Sequence, residues 1–552
     1  MMASTLLGPL RRDPVWLAWA LLSLLVLGYF LLWPILGVMM DAWRDDSGQL
    51  SFNGFQRFWS EASYRDALVN TLILGVAVTC TSVLLGGGLA LVLARLSFPV
   101  AALIGALPLL TLVVPDVVVA ASWIVVLGKQ GLVNNWLSAW DVQLPSLFSW
   151  WGLIFVMTLT NYVYAFVPIL AGLKSMDRSL EEAATSLGRP PMQVLFTVTQ
   201  PLMLPAIGAG ALIVFMHVIG DFGVPALLGA HTPVLAVKTY NEFVSEMGGS
   251  PQMQSTLATV LIVLGLLVLM VQKGIVERRQ YQMESGRTPL AIRISGIPSA
   301  LAVVFVCSVV LVSIVPVVVV CVTAFTKSMG PVLRYGSWTL QHMEHALMRA
   351  PEPLYNSLFL ATIATIGGVV FSVLTAYLIT KRRSWLTHCL DAVVMLPLTI
   401  AGTVLGIALI NAFNSGWLVL TGTWMIMGLA YFLRRVPTSV RAAMGPMFNL
   451  KSSIEEASIS LGVSPFRSFV RVVLPLVMPA VWAAAVLMWI TTLSELSATV
   501  VLYFGGMNTM PIEIFQLVDS GRLAQASAYS VILLLSIFIP LLFARFVCRL
   551  KI

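Results

Sequence analysis

Residues 181–188 read EEAATSLG and residues 455–462 read EEASISLG, a register of 274 positions that decides how this chain is built. The register runs on without a gap: Pro191, Pro201 and Pro205 recur as Pro465, Pro475 and Pro479, and the acid Asp221 recurs as Glu495. Upstream, Leu68-Val69-Asn70-Thr71-Leu72 recurs as Leu354-Tyr355-Asn356-Ser357-Leu358, and Ala90 as Ala376, now at 286 positions. Self-similarity at a fixed period marks a duplicated structural unit. The change of register puts twelve extra residues in the first copy, most simply in a loop around residues 128–150, where an insertion is tolerated.

Both copies lie in apolar sequence. Of 552 residues 59% are hydrophobic and 10% charged, whereas a soluble domain carries about 25% charge. Runs such as residues 15–37, 72–93, 255–271 and 300–322 are long enough to span hydrocarbon, and about twelve of them recur along the chain. They are too long and too uniformly apolar for barrel strands, and a spanning backbone must satisfy its own polar groups, so they are helices. The first run follows Arg11 and Arg12 but shows no small-residue cleavage site, which makes it an uncleaved first span. The expected fold is an all-α membrane protein of about twelve transmembrane helices in two parallel six-helix repeats, residues 1–272 and 298–552. The polar stretch at 273–293, KGIVERRQYQMESGRTPLAIR, places a cytoplasmic linker at 273–297.

The net charge of +8 follows from topology. Assigning both termini to the cytoplasm places 23 of the 32 lysines and arginines inside, among them the group from Arg434 to Arg471. The basic residues form no continuous stripe with aromatics, so nucleic acid is not an expected partner. Cys80, Cys307, Cys321, Cys389 and Cys548 show no ligand-like spacing and read as packing residues.

The repeated octapeptides are polar, begin with acids and are broken by Gly188 and Pro190, so they cannot lie in lipid and must project as short cytoplasmic helices. Two such helices, one per half, offer matched grips for two copies of a soluble ATPase. The chain carries no Gly-x-x-x-x-Gly-Lys-Ser/Thr run and its cytoplasmic segments are too short for a nucleotide-binding domain, so the motor is another polypeptide and the chain itself is no enzyme.

These segments resemble the EAA loop of permeases of binding-protein-dependent ABC importers: Glu-Ala-Ala, three residues, Gly, nine residues, a branched apolar residue, one more, then Leu-Pro. Here residues 181–201 supply Glu182-Ala183-Ala184, Gly188, Val198 and Gln200-Pro201; residues 455–475 supply Glu456-Ala457-Ser458, Gly462, Val472 and Leu474-Pro475. Ser458 and Gln200 depart from the pattern. The resemblance implies that Glu181, Glu182, Ala183, Ala184 and Gly188, with Glu455, Glu456, Ala457, Ser458 and Gly462, couple the permease to the ATPase. It also implies a periplasmic solute-binding protein and alternating access between the halves, with no cofactor.

Asp221 and Glu495 are ionisable residues near the outer ends of apolar runs, at equivalent places in the two halves. Charge at such depth faces a cavity or a partner. They either line the path between the halves or cap helices and pair with neighbours. Gly223, Pro225 and Gly229 interrupt the fifth span of the first half, and Gly505-Gly506 follow its counterpart; breaks at matched positions point to a pathway. His342 and His345 have helical spacing in an outside loop but no third ligand nearby, so they read as solvated histidines and no metal site is expected. His217 and His231 flank Asp221, which opens a cation-handling role.

The strings DFGVPALLG at 221–229 and ELSAT at 495–499 are similar to the ferric-iron type of fused permease, and thiamine and aminoethylphosphonate importers share much of that pattern. Ferric iron is the first cargo implied; aminoethylphosphonate, thiamine, a sugar phosphate or a polyamine stay open. A competing class, the ion-coupled secondary transporter, also has about twelve spans in parallel halves but needs no docking loops. A membrane enzyme would need a clustered catalytic set, which the sequence lacks.

Overall fold

A computed structural model describes residues 13–547 except 46, 96–106, 178, 231, 246–249, 279–296 and 330–331. His231, Cys548 and most of the expected linker therefore lie outside the described residues; the helix Pro251–Arg278 carries the chain six residues into that linker.

Ten helices among the described residues are long and apolar enough to cross a bilayer. Trp385–Thr399 and Gly402–Phe413, bent by 111° at their junction, bring the number to eleven. The helix Trp424–Asn449 falls short of that test because it carries Arg434, Arg435 and Arg441, yet it matches Trp150–Ser175 residue for residue at the 274 register. The expected cytoplasmic placement of Arg434 and Arg435 is corrected here. They sit in the body of this helix and turn onto Glu495.

The duplication shows in the backbone of the matched spans. Asp116–Leu127 repeats as Gly402–Phe413 at 286 positions, and Trp150–Ser175 as Trp424–Asn449 at 274, so the twelve extra residues fall between Leu127 and Trp150, where the short helix Leu132–Leu137 sits. The shared Asn-Thr/Ser pair does the same work twice. Thr71 Oγ1 accepts from Leu235 N at 2.8 Å while Asn70 donates to the Pro233 carbonyl at 3.0 Å. Ser357 Oγ accepts from Met510 N at 2.8 Å while Asn356 donates to the Asn508 carbonyl at 2.9 Å. Each pair ties a spanning helix to the start of a shorter helix, Leu235–Val244 or Met510–Asp519, satisfying backbone groups that have no partner in the first turn.

Within each half the longest helix packs along its partner: Ala62–Arg95 on Trp150–Ser175, and Glu352–Lys381 on Trp424–Asn449. Close approach needs small residues, and a Cβ on Gly86 would stand 2.5 Å from the Tyr162 carbonyl. The first helix of each half also packs across onto the other repeat. Trp16 packs at a tilt of 33° on Tyr377 of the second half with ring centres 4.4 Å apart and meets Phe469 edge-on at 5.2 Å. Reciprocally, Ser313 in the helix Ile297–Ala324 shares a 2.9 Å hydrogen bond with Tyr162, and the Pro316 carbonyl accepts from Ser122 at 3.0 Å. Both hydrophobic cores mix residues from the two repeats as a result.

The fold is mostly helical, as expected, with a short antiparallel hairpin of Thr326–Met329 and Val332–Trp338 between two spans. One expectation is amended. Cys80, Cys307 and Cys321 are exposed on the flanks of spanning helices rather than packed between them; a thiol is apolar enough to face hydrocarbon.

Candidate coupling helices and inter-half interface

The repeated octapeptides form two short helices, Ser179–Ser186 and Ser452–Ser460. Their glycines explain their ends. Gly188 and Gly462 adopt φ of +83° and +87°, the left-handed region that favours glycine. In the first helix Gly188 N donates to the Thr185 carbonyl at 2.9 Å and Arg189 N to the Ala184 carbonyl at 3.3 Å; in the second Gly462 N donates to Ile459 at 2.9 Å and Val463 N to Ser458 at 3.2 Å. This double bond across a left-handed residue is the Schellman stop, which consumes the last free carbonyls and turns the chain sharply back.

The two acids of each motif split their work. Glu181 turns inward, where both terminal nitrogens of Arg95 bind it and Thr199 donates to it. Glu455, 8% exposed, turns inward to the Tyr377 hydroxyl and to Arg382 Nη2 at 2.9 Å. Arg382 also reaches Asp13 at 3.5 Å. Each anchor joins a candidate coupling helix to the end of the longest span in its half; Arg95 does so as a bidentate guanidinium, which fixes orientation as well as distance, and Arg382 through Nη2. Glu182, Ala183, Glu456 and Ala457 are exposed. So are Leu187 and Leu461, at 84% and 86%, immediately before the two glycines. The sequence pattern singled out the glutamates; the matched leucines, legible as an apolar residue repeated in a polar loop, are the side chains left most open.

At the other site the helix Gln200–Gly220 stops at Asp221, which is extended, and Asp221 Oδ1 accepts from Gly223 N at 2.9 Å to start the short helix Gly223–Leu228. Glu495 follows the helix Leu474–Leu493, and its Oε1 accepts from Ala498 N at 3.1 Å at the start of Thr499–Leu502. The break expected at Gly223, Pro225 and Gly229 thus falls at 221–222, with Gly223 and Pro225 buried inside the helix that follows and Gly229 closing it. A Cβ on Gly223 would come within 3.2 Å of Leu496, so the two breaks abut across the interface between halves. Phe222 and Phe515 pack there at 5.7 Å.

Charge is divided unequally over this interface. Glu495, 2% exposed, binds Arg434 Nε at 3.2 Å and also Arg435. Asp116 of the first half lies in the field of Arg435 and Glu495, and Asp221 in that of Asp116. His217 stacks on Tyr164 at 4.5 Å and feels Arg434, Arg435 and Glu495. The repeat assigns Thr160 and Asn161 to the positions of the two arginines, and Gly402 to that of Asp116, so the first half supplies Asp116 and Asp221 while the second supplies both guanidiniums and Glu495. The repeat made the match of Asp221 with Glu495 legible but not the arginines or Asp116, where the side chains of the two halves diverge.

His342 and His345 fall on adjoining turns, Gln341–Glu344 and His345–Arg349, and burial lowers the His342 imidazole from its ordinary range. No group of three or more metal-ligating side chains occurs among the described residues.

Residues 82–281 and 368–550 match the family described as "Binding-protein-dependent transport system inner membrane component", one match in each half. The ferric transport system permease protein FbpB of Actinobacillus pleuropneumoniae is 26% identical over 542 residues, 95% of this chain and 77% of that protein. The Fe(3+)-transport system permease protein FbpB 2 of Haemophilus influenzae is 26% identical over 536 residues, 96% of this chain and 98% of that protein. A crystal structure of a bacterial ABC transporter involved in the import of the acidic polysaccharide alginate contains a chain 20% identical to this one, with a TM-score of 0.41, over 49% of this chain and 98% of that one. The chain is therefore a member of the binding-protein-dependent transport family, a multi-pass inner-membrane permease subunit of an ABC importer that carries both permease halves in one polypeptide.

Proposed function

We propose that this permease imports ferric iron, received from a periplasmic solute-binding protein and moved inward by alternating access driven by two copies of a cytoplasmic ATPase. In this reading residues 1–272 and 298–552 are the two halves joined by a linker at 273–297, and the ATPase copies seat on Glu182 to Gly188 and Glu456 to Gly462. The observation that carries it is the pair of anchored helices, each held by an inward glutamate and each presenting a leucine to solvent beside a Schellman glycine. What sets these leucines apart from scattered exposed apolar residues is their recurrence at equivalent places in the two halves, which fits two copies of one partner. Rigid anchoring matters because a motor shifts a conformational equilibrium only through its differential interaction with the two states. The cargo rests on likeness to two relatives named for ferric transport.

Asp221, Glu495, Gly223 and Pro225 lie where the halves meet and are assigned to the translocation path. A second reading is favoured by one observation: both acids accept a backbone N–H at the start of a short helix, Gly223 N for Asp221 and Ala498 N for Glu495, which is a capping role.

The test is uptake of radioactive ferric iron by cells holding the permease, its ATPase and its binding protein. Deleting residues 181–188 and 455–462 is expected to abolish uptake and co-purification of the ATPase. Uptake that persists without the ATPase on a proton gradient alone overturns the reading in favour of a secondary transporter.

A further inference from the structure

At the end of the span Glu352–Lys381 a polar recess of about 360 Å³ opens beside the second coupling helix. Lys381, Arg383 and Lys451 line it, with Asn449 and Ser452, and no acid does. Lys381 Nζ donates to the Leu450 carbonyl, Arg383 lies over the Phe448 ring at 5.4 Å, and Lys451 is the N-cap of the helix Ser452–Ser460. The nearest acid of the coupling motif is already engaged, because Glu455 takes Arg382 and Tyr377. Phe448 of the lining is 63% exposed and Trp385, which starts the next helix, 59%; exposed aromatics of this kind suit a membrane–water boundary.

The first half does not repeat this set of cations in its sequence. At matched positions it has Arg95, which is committed to Glu181, then Ser97, Lys174 in place of Phe448, and Asp177 in place of Lys451, with Asp177 Oδ1 accepting from Ser179 N at 2.9 Å. Of the three cations only Lys381 has a basic counterpart, Arg95, so the cluster is not a part that both candidate coupling helices share.

We propose that the recess binds a phosphate group presented at the cytoplasmic face of the membrane, the headgroup of an anionic lipid or a free phosphate. Three cations with no lining carboxylate complement such a group, and basic pockets between helices on this side are the usual receptors for it. The bound phosphate joins Lys381 and Arg383, at the end of a span, to Lys451 at the start of the coupling helix, and so stiffens the joint through which a motor would act.

The test uses the purified full-length chain in detergent, titrated with phosphatidylglycerol and, in a second arm, phosphatidylcholine, with bound lipid counted by native mass spectrometry. The chain is expected to retain phosphatidylglycerol over phosphatidylcholine, and Arg383→Gln with Lys451→Gln to weaken that retention about tenfold. Arg383→Lys with Lys451→Arg keeps the charge and should keep the binding. Inorganic phosphate that competes at millimolar concentration assigns the site to a soluble phosphate; failure to compete assigns it to the lipid headgroup. The proposal is overturned if the glutamine pair binds phosphatidylglycerol as the parent does, or if Lys174→Gln with Arg189→Gln in the first half causes an equal loss.

Discussion

Arg434 places its Nε 3.2 Å from Oε2 of Glu495, a residue of another helix break that is 2% exposed, and Arg435 joins the same carboxylate. One acid thus pairs with two guanidiniums, and Asp116 lies in the field of the positive charge that is left over, inside a bundle where an unpaired charge is costly.

Glu495→Gln should therefore destabilise the chain by about 3–5 kcal/mol, the cost of breaking a buried pair by removing one partner. Asp221→Asn, whose amide oxygen can still accept from Gly223 N, should cost about 1 kcal/mol. Unfolding by SDS titration in mixed micelles measures both, and equal losses would show that the arginines do not make the difference.

Gly402 is where Arg434 passes. A Cβ there would stand 2.0 Å from Arg434 Nη1, 2.6 Å from Ser497 Cβ and 2.8 Å from Ala498 N. Gly402→Ala should cost about 1–3 kcal/mol by overpacking. Gly367→Ala, which meets nothing within 4 Å in the helix Glu352–Lys381, should instead gain up to about 1 kcal/mol of helix propensity. The same titration separates the two signs.

The anchors of the coupling helices can be inverted. Arg382→Glu puts a second acid against Glu455 and should release the ATPase, lowering its co-purification by roughly tenfold, since a like-charge contact costs at least about 1.4 kcal/mol. The exchange Arg382→Glu with Glu455→Arg should restore much of the association, whereas Glu455→Arg alone should not. Failure of the exchange to rescue would place the effect of Arg382 in its contact with Asp13.

Gly188→Ala and Gly462→Ala each force an alanine into the left-handed region in open space, so each should cost about 1–2 kcal/mol locally and fray the helix end without unfolding the bundle. Leu187→Ser with Leu461→Ser should leave the melting temperature unchanged and weaken ATPase binding, because both side chains are open to solvent. A fall in melting temperature in the leucine pair would mean that they support the fold instead.

Much of this was legible in one dimension. Hydropathy marks spans because a bilayer demands continuous apolar helices, and the twin octapeptides with their glycines announced two short helices that stop abruptly. The helix Trp424–Asn449 escaped a hydropathy reading because its arginines look like loop residues until Glu495 is seen beside them. Likewise Glu181 and Glu455 are indistinguishable in sequence from Glu182 and Glu456, and only the helix phase against the neighbouring span sends one of each pair inward to Arg95 or Arg382.

What the sequence determined by itself was the duplication, the apolar helices and their order, since these depend on local composition and on chain register. Tertiary structure decided which half each helix serves and which charges meet: Trp16 packs on Tyr377, Tyr162 bonds Ser313, and Glu495 takes two arginines from a helix some 60 residues away in the chain. Lipid offers every apolar helix face a nearly equal alternative, so partner choice rests on close packing and on burying each charge beside its opposite, and both are relations between distant residues that no local pattern records.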